Sequence, residues 1–447
     1  MKVSNLRTGM DLRSQLGRVW KLSIPAILTQ ITTVAMQYID SAMVGHLGEN
    51  ASAAIGLVST STWFMGGVGT AISAGFSVQV AQYIGANESH NARRVIRHGF
   101  VTALIAAVFL AVLGGFISSP LPHWLGGEEI LWKDASAYFL VYAITMPFME
   151  MNRMASGFIQ SAGNMVVPSI LNALMCVLDV IFNAIFIPKY GVLGAAIGTG
   201  LATAVISVIQ MWFCCLRFEP LRLNRKEPCP LDTSILKRAL KIGLPVGAES
   251  MAMSGAYVVS TTIIAPLGTV PIAAHSFAVT AESLCYMPGY GIANAASMLV
   301  GQSIGANNYR LARRYGYITV AFGGAMMALT GALMYFICPL VFKMLTPVAE
   351  VQIVAARILR IELIAEPLYG VSLVSSGALR GAEDTFVPSL LNLFSIWFVR
   401  LGLAAILVPR YGIDGMWIAM AVELCVRGLL LLARLIRSKY LLVRGHE

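Results

Sequence analysis

Charge is what this chain lacks. Of its 447 residues 57% are hydrophobic and only 12% are charged, against roughly 25% charged in an ordinary soluble domain. An all-helical soluble protein of this length needs far more polar surface, so composition excludes that class. Histidine is sparse too. Its six copies, at 46, 90, 98, 123, 275 and 446, form no HExxH and no close pair, so the zinc site of a metalloprotease is excluded. No GxxxxGK[ST] loop occurs, which removes ATP as the direct energy source. The seven cysteines are scattered, and the adjacent Cys214 and Cys215 have no metal-ligand spacing; all read as small apolar residues. With no nucleophile–base set, an enzyme is not expected, nor a cofactor.

What is present is apolar length. Twelve stretches follow one another, near 22–46, 52–80, 95–118, 134–157, 166–187, 191–215, 240–267, 272–301, 315–341, 352–378, 386–408 and 412–433. Most exceed the roughly 20 residues that cross a hydrocarbon core. The first follows Lys2, Arg7, Arg13, Arg18 and Lys21. It is too long for a signal peptide and has no small-residue cleavage site, so it is expected to remain as a helix. With twelve helices, Arg93, Arg94, Arg97, the basic segment from Arg217 to Lys241, Arg310, Arg313 and Arg314 share one side with both termini. The opposite loops hold only Lys133, Lys189, Lys343 and Arg410. The positive-inside rule then places both termini in the cytoplasm. This bias also accounts for the net charge of +10, so nucleic acid is not expected as a partner.

The chain also repeats itself. Residues 25–94 realign without a gap on 245–314, an offset of 220. Gln82-x-Ile84-Gly85-Ala86-Asn87 returns as Gln302-x-Ile304-Gly305-Ala306-Asn307, and Pro168-Ser169-x-Leu171-Asn172 as Pro388-Ser389-x-Leu391-Asn392. A period of this length is too long for a solenoid; it marks two copies of a half-molecule. Six helices per half is an even number, so both halves enter from the same side as parallel repeats, a recurring transporter plan. The predicted fold is an all-α integral membrane protein, twelve transmembrane helices in two six-helix lobes related by a parallel pseudo-two-fold repeat. The expected division is 1–215, a linker at 216–238, and 239–447. A cleft between such lobes can open to either side.

Acids inside the spans are the next signal, since an intramembrane charge costs roughly 2.5–3.5 kcal/mol and usually lines a pathway. Gln30, Thr33, Gln37 and Asp40 share one face of the first helix, spaced three, four and three. Asn172, Cys176, Asp179 and Asn183 form a similar stripe in the fifth, and Thr199, Thr203, Ser207 and Gln210 in the sixth. Asp40 precedes Gly48 by eight residues and Asp179 precedes Pro188 by nine. At about 1.5 Å per residue both lie at one depth. Two such carboxyls can share a proton or a small cation. In the second half the corresponding faces read Ser250, Met253, Tyr257, Ser260 and Asn392, Ile396, Val399, Leu403, so both aspartates are gone. That contrast disfavours a pure scaffold role, although acids hydrogen-bonded between helices are the bland alternative. The second half has Glu249, Glu282, Glu362, Glu366, Arg357, Arg360 and Arg400. Glu423 and Arg427, four apart, suggest an ion pair within one helix. Arg357 and Arg360 are expected to find Glu362, Glu366 or Glu282.

With these residues in place, the chain resembles the multidrug and toxic compound extrusion (MATE) family. The resemblance rests on Asp40-Ser41-x-Met43-Val44-Gly45-x-Leu47-Gly48, Gln82-x-Ile84-Gly85-Ala86, Leu178-Asp179 and Gly194-Ala195-Ala196-Ile197-Gly198-Thr199. Leu267-Gly268, Ala273-Ala274-His275 and Leu379-Arg380-Gly381 add to it. It implies antiport of organic cations against protons or sodium by alternating access. It also implies a coupling site at Asp40, Asp179, Asn183 and Thr199, with Na⁺ possible at the two aspartates, and a hinge at Pro25, where proline weakens the helix. Two departures matter. Met175 stands where many relatives have Asn one turn before the helix 5 acid. Met253 and Tyr369 stand where NorM-like members have Glu and Asp. Both lean the reading to the DinF-like branch and to protons, because a lost oxygen ligand harms Na⁺ more than it harms a carboxyl proton.

The substrate cavity is expected to draw on Gln30, Thr33, Met36, Gln37, Asn172 and Thr203 from the first half, and on Glu249, Met253, Tyr257, Glu282 and Glu366 from the second. Met65, Met287, Tyr38, Trp63 and Tyr286 are further candidates, with methionine and aromatic surfaces suited to varied planar cations. The expected partners are small organic cations and the lipid bilayer, the expected working form is a monomer, and the expected location is the inner membrane. A lipid-linked precursor flippase of the same architecture is the alternative, kept open by Arg357, Arg360 and Arg400.

Overall fold

A computed structural model describes residues 11–224 and 230–438. Lys2, Arg7, Cys229, part of the linker and the tail beyond Ser438 lie outside them. Twelve long helical segments run in order. They are α1 (Leu12–Gly45), α2 (Glu49–Gly85), α3 (Ser89–Ile117), α4 (Glu129–Ser161), α5 (Val166–Tyr190) and α6 (Val192–Trp212), then α7 (Thr233–Ile264), α8 (Thr269–Gly305) and α9 (Tyr309–Leu345). Next, α10 is broken into Ala349–Leu363 and Glu366–Gly381. In α11, Phe386–Phe394 and Leu401–Tyr411 are joined by a π-helical turn, Ser395–Arg400. The last is α12, Ile413–Arg437. No strand occurs among the described residues. Nine of these segments are long and apolar enough by composition to cross a membrane. The other three, α4, α8 and α10, are those that carry Glu150, Glu282, Glu362 and Glu366.

The repeated motifs turn out to be helix stops. Asn87 and Asn307 adopt left-handed φ of 64° and 56°, a conformation that Asn and Gly tolerate best. The amides beyond them then bond back to orphan carbonyls, Glu88 to Tyr83 and Asn308 to Ser303, the Schellman arrangement. The same device closes α4 at Gly163 and α10 at Glu383. Helix starts are capped as well. Asp11 accepts from the Leu12 amide at 2.8 Å, and Asp232 accepts from the Ser234 amide at 2.9 Å ahead of α7. Asp232 also pairs with Arg94 of α3 at 3.1 Å. Hydrogen bonds from the Ser234 hydroxyl and amide, with Arg94 behind them, hold the Asp232 carboxyl below the usual carboxylate range. A depressed carboxyl stabilises above its unfolded value and loses that contribution as pH falls through its folded one. Amide protection factors at the start of α7, which already correct for the intrinsic pH dependence of exchange, are therefore expected to stay constant from neutrality down to about pH 4 and to fall only below it.

By packing, the chain forms two units: a first, Thr32–Gly247, and a discontinuous second, Met1–Ile31 with Ala248–Glu447. The division falls inside α1 and α7, where the sequence reading had placed it at 216–238. Each helix begins in the unit that the other repeat builds. Side chains show how. In the second unit Arg18 of α1 donates to Gln302 of α8 at 3.3 Å. In the first, Arg238 of α7 donates to Gln82 of α2, and Gln79 donates to the Ile235 carbonyl at 3.1 Å. The two Arg–Gln pairs are equivalent under the repeat. Pro25 and Pro245 are equivalent too, and each lies inside an unbroken helix shortly before the point of division.

Close approach of α1 to α8 requires glycine. A Cβ on Gly291 would lie 2.6 Å from the Ile27 amide nitrogen and 2.8 Å from the Ala26 carbonyl carbon. Both are backbone atoms that cannot yield. Gly291→Leu is expected to destabilise by at least the roughly 1–3 kcal/mol of core overpacking, read as a lower unfolding midpoint in detergent.

Candidate functional site

In the first unit three helices bring their polar stripes together. Asn183 of α5 donates through one amide nitrogen to Asp40 Oδ1 of α1 at 2.7 Å and to Asp179 Oδ2 at 3.3 Å. Asp40 also faces the Asp179 carboxyl itself and the Thr199 hydroxyl of α6. Asp179 and Asn183 have no exposed surface, and Asp40 is half-buried. All four residues expected at the coupling site therefore converge. Two turns further along, Asn172 donates to Thr33 at 2.8 Å. Met175, in the turn before Asp179, joins Ala202, Ile206 and Met36 in an apolar cluster. Asn183 is the amide that ties the two carboxyls together.

Gly198 explains how α6 comes so near. A Cβ there would overlap the Asn183 carboxamide oxygen and stand 3.0 Å from the Asn183 amide nitrogen. Gly198→Ala is expected to push the Asn183 side chain off Asp40. The predicted result is loss of transport with little change in expression or unfolding midpoint, checked by assaying both on one preparation.

The other first-repeat candidates differ in burial, Gln30 belonging to the second unit and the rest to the first. Gln30 is half-buried, Gln37 exposed and Thr203 buried. Met65 packs inside, against Ala143, Met146 and Phe139, and Trp63 is exposed. The sequence reading missed Glu150 and Arg153 on α4. Glu150 is 1% exposed and 3.8 Å from Arg153, which itself donates to the Gly66 carbonyl and the Thr70 hydroxyl of α2 at 2.6 and 2.7 Å. A charged pair three apart inside the 134–157 stretch was the available signal.

The second unit uses the same positions differently. Asn392, the repeat equivalent of Asn172, donates to Glu249 at 2.7 Å, and Ser389 does so at 2.7 Å. Glu249 is thus bound between α7 and α11. Met253 packs with Ala256, Ile396 and Leu401, and Tyr257 is exposed. Glu282 and Glu366 lie in the interior at 5% and 0% exposure. Nearby, Arg400 and Arg427 grip Glu423 at 2.8 and 2.9 Å. The π-turn in α11 carries Arg400 at its end, and such bulges recur at functional positions. The helix-internal pair Glu423–Arg427 is as expected. Arg357 and Arg360 are not: Arg357 pairs with Asp414 at 3.0 Å. Arg360 lies over the Tyr335 ring and donates to the Tyr335 carbonyl. Both are long enough to reach polar partners at the helix surface and avoid burial.

The MatE family model matches residues 25–185 and again 245–406. The chain belongs to the MatE family. The two matches repeat the 220-residue offset read from the sequence. MatE relatives extend along the whole length. "Probable multidrug resistance protein NorM" of Chromobacterium violaceum is 27% identical over 459 residues, covering 97% of this chain and 96% of the relative. The protein of the same name from Bacillus cereus is 26% identical over 435 residues, covering 94% and 95%. Among solved structures, a MATE transporter in the straight conformation superposes with a TM-score of 0.91 at 21% identity, covering 98% of both chains. The Vibrio cholerae MATE transporter VcmN in the bent form gives 0.88 at 19%, covering 96% and 97%. A Pyrococcus furiosus transporter of the MOP superfamily, described with a binding pocket of reverse polarity and a different function, gives 0.89 at 20%, covering 98% and 99%. The fold is the twelve-helix, two-lobe fold of MATE transporters.

Proposed function

We propose that this MatE protein is a secondary active efflux transporter, exporting amphipathic organic cations by alternating access in exchange for protons. The observation that carries the reading is the triangle of Asp40, Asn183 and Asp179, closed by Thr199. A buried carboxyl pair sharing one amide can take up a proton, or a small cation, and change its net charge. The coupling logic is a difference in preference. Substrate and proton must favour different conformational states, because equal affinity shifts nothing. In this reading protonation from outside loosens the Asn183 bridge and favours drug release. Deprotonation towards the cytoplasm resets it.

Protons are favoured over sodium because Met175 supplies no oxygen at this cluster. The DinF-like assignment rests on the same departure and on Met253 and Tyr369. Pro25 serves as the bending point of α1, with Pro245 its counterpart in α7. The protein works as a monomer in the inner membrane with both termini in the cytoplasm, where the basic loops would lie. The flippase alternative is weakened: Arg357, Arg360 and Arg400 are all engaged, leaving none of the three for a pyrophosphate.

The test is uptake of a fluorescent organic cation into liposomes holding the purified protein, under a proton gradient or a sodium gradient imposed separately. Proton-driven movement supports the reading. Sodium-driven movement moves the coupling ion, and no cation movement under either gradient overturns the drug reading and revives the flippase.

A further inference from the structure

The second unit buries more carboxyl groups than its guanidinium groups balance. Glu362 and Glu366 stand on either side of the break in α10, and neither has exposed surface. Glu282 of α8 faces both. None of the four carboxyl oxygens of Glu362 and Glu366 has a hydrogen-bond partner among the described residues. The bases nearby, Arg400 and Arg427, are already gripping Glu423. Arg360, on the same helical segment as Glu362, is turned away onto Tyr335.

The remaining titratable groups bring no positive charge to this cluster. Cys285 of α8 faces all three glutamates and Cys338 of α9, and Cys425 of α12 faces Glu362. His275 faces Arg400 and stands edge-on to Trp417. Tyr369 lies beneath Arg427. Fully ionised, Glu282, Glu362, Glu366 and Glu423 would exceed the two guanidinium groups by two charges. Inside a membrane-spanning bundle such charge is not left unbalanced. Among the described residues no three carboxyl, thiol or imidazole groups converge as a metal-ligating set. A proton needs only one carboxyl.

We propose that Glu362 and Glu366, with Glu282, form a second proton-binding site internal to the second unit. It holds two protons when Arg400, Arg427 and Glu423 are charged, and it gives up at least one as the medium turns alkaline. Ile364 is 78% exposed, so the turn that separates the two acids opens at the unit's surface. The site is separate from Asp40 and Asp179, which belong to the other unit. Proton binding here does not depend on the transport reading; a place in the transport cycle does.

The experiment is infrared difference spectroscopy of the protein in lipid nanodiscs, titrated from acid to alkaline pH. Asp40→Asn/Asp179→Asn serves as the background, so that the coupling carboxyls of the first unit contribute no signal and the rest is assigned by the glutamate variants. A protonated-carboxyl band is expected that shrinks as pH rises. Glu362→Gln and Glu366→Gln should each remove part of it, and the double variant all of the part these two residues supply. If a Gln variant fails to fold, Glu362→Asp should shift the band instead of removing it. No protonated band traceable to these residues overturns the site. A band that persists unchanged to high pH and on adding ethidium overturns the exchange, leaving two permanently neutral acids. Should transport prove to be sodium-driven, the bands stay readable, so the proposed function would fail while this site stands.

Discussion

Asp40→Asn is expected to abolish gradient-driven efflux, lowering the initial rate in liposomes at least tenfold, which is about 1.4 kcal/mol of lost coupling. The substitution is nearly isosteric. Asn at 40 still offers an oxygen to the Asn183 amide, so the 2.7 Å bridge and the packing of α1 on α5 are retained. What disappears is the ability to carry a proton. A drug then finds the same cavity with no ion to shift the balance of states, so equilibrium drug binding should change little while transport stops. Loss of binding together with transport would mean that Asp40 contacts substrate instead. Thr199→Ala removes only one hydroxyl from the same cluster and should cost transport less.

The second large effect is structural. Glu423→Ala is expected to destabilise the protein by about 3–5 kcal/mol, the cost of breaking a buried ion pair from one side. Arg400 and Arg427 keep 7% and 4% of their side-chain surface exposed, and Glu423 none. Removing the acid takes from both guanidinium groups the carboxylate that grips them at 2.8 and 2.9 Å. The readout is the unfolding midpoint in detergent. Replacing all three by leucine should recover much of the loss, because the penalty arises from unpaired charge and not from missing contacts. If Glu423→Ala unfolds no earlier than the parent, the trio is not the lock that its distances suggest.

The first-unit site was readable because each of its three helices carries a polar stripe at helical spacing. Asp40 and Asp179 lie at matched depth, and their loss from the second repeat singled them out. The second-unit cluster was only half readable. Glu282 and Glu366 were visible as acids in apolar runs, but the sequence left structural pairing and a place at the cavity equally open for them. Glu366 and Glu362 are buried on either side of the α10 break at 364–365, and Glu282 is buried on α8. Glu150 went unnoticed because one acid three residues from one arginine looks like a surface pair. Only the burial of Glu150 and the contact of Arg153 with α2, through Gly66 and Thr70, show otherwise.

By itself the sequence determined the membrane class, the number of spans, the repeat and the faces of α1, α5 and α6. Those properties follow from composition and local period, which a chain carries whatever its neighbours do. Tertiary structure alone decided three things. It decided that α1 and α7 each begin in the other repeat's unit, that Asn183 bridges the two aspartates, and that Arg400 reaches Glu423 from a π-turn. Each depends on how close two backbones come and how far a helix is rotated, and those distances are set by glycines and side chains far apart in the chain.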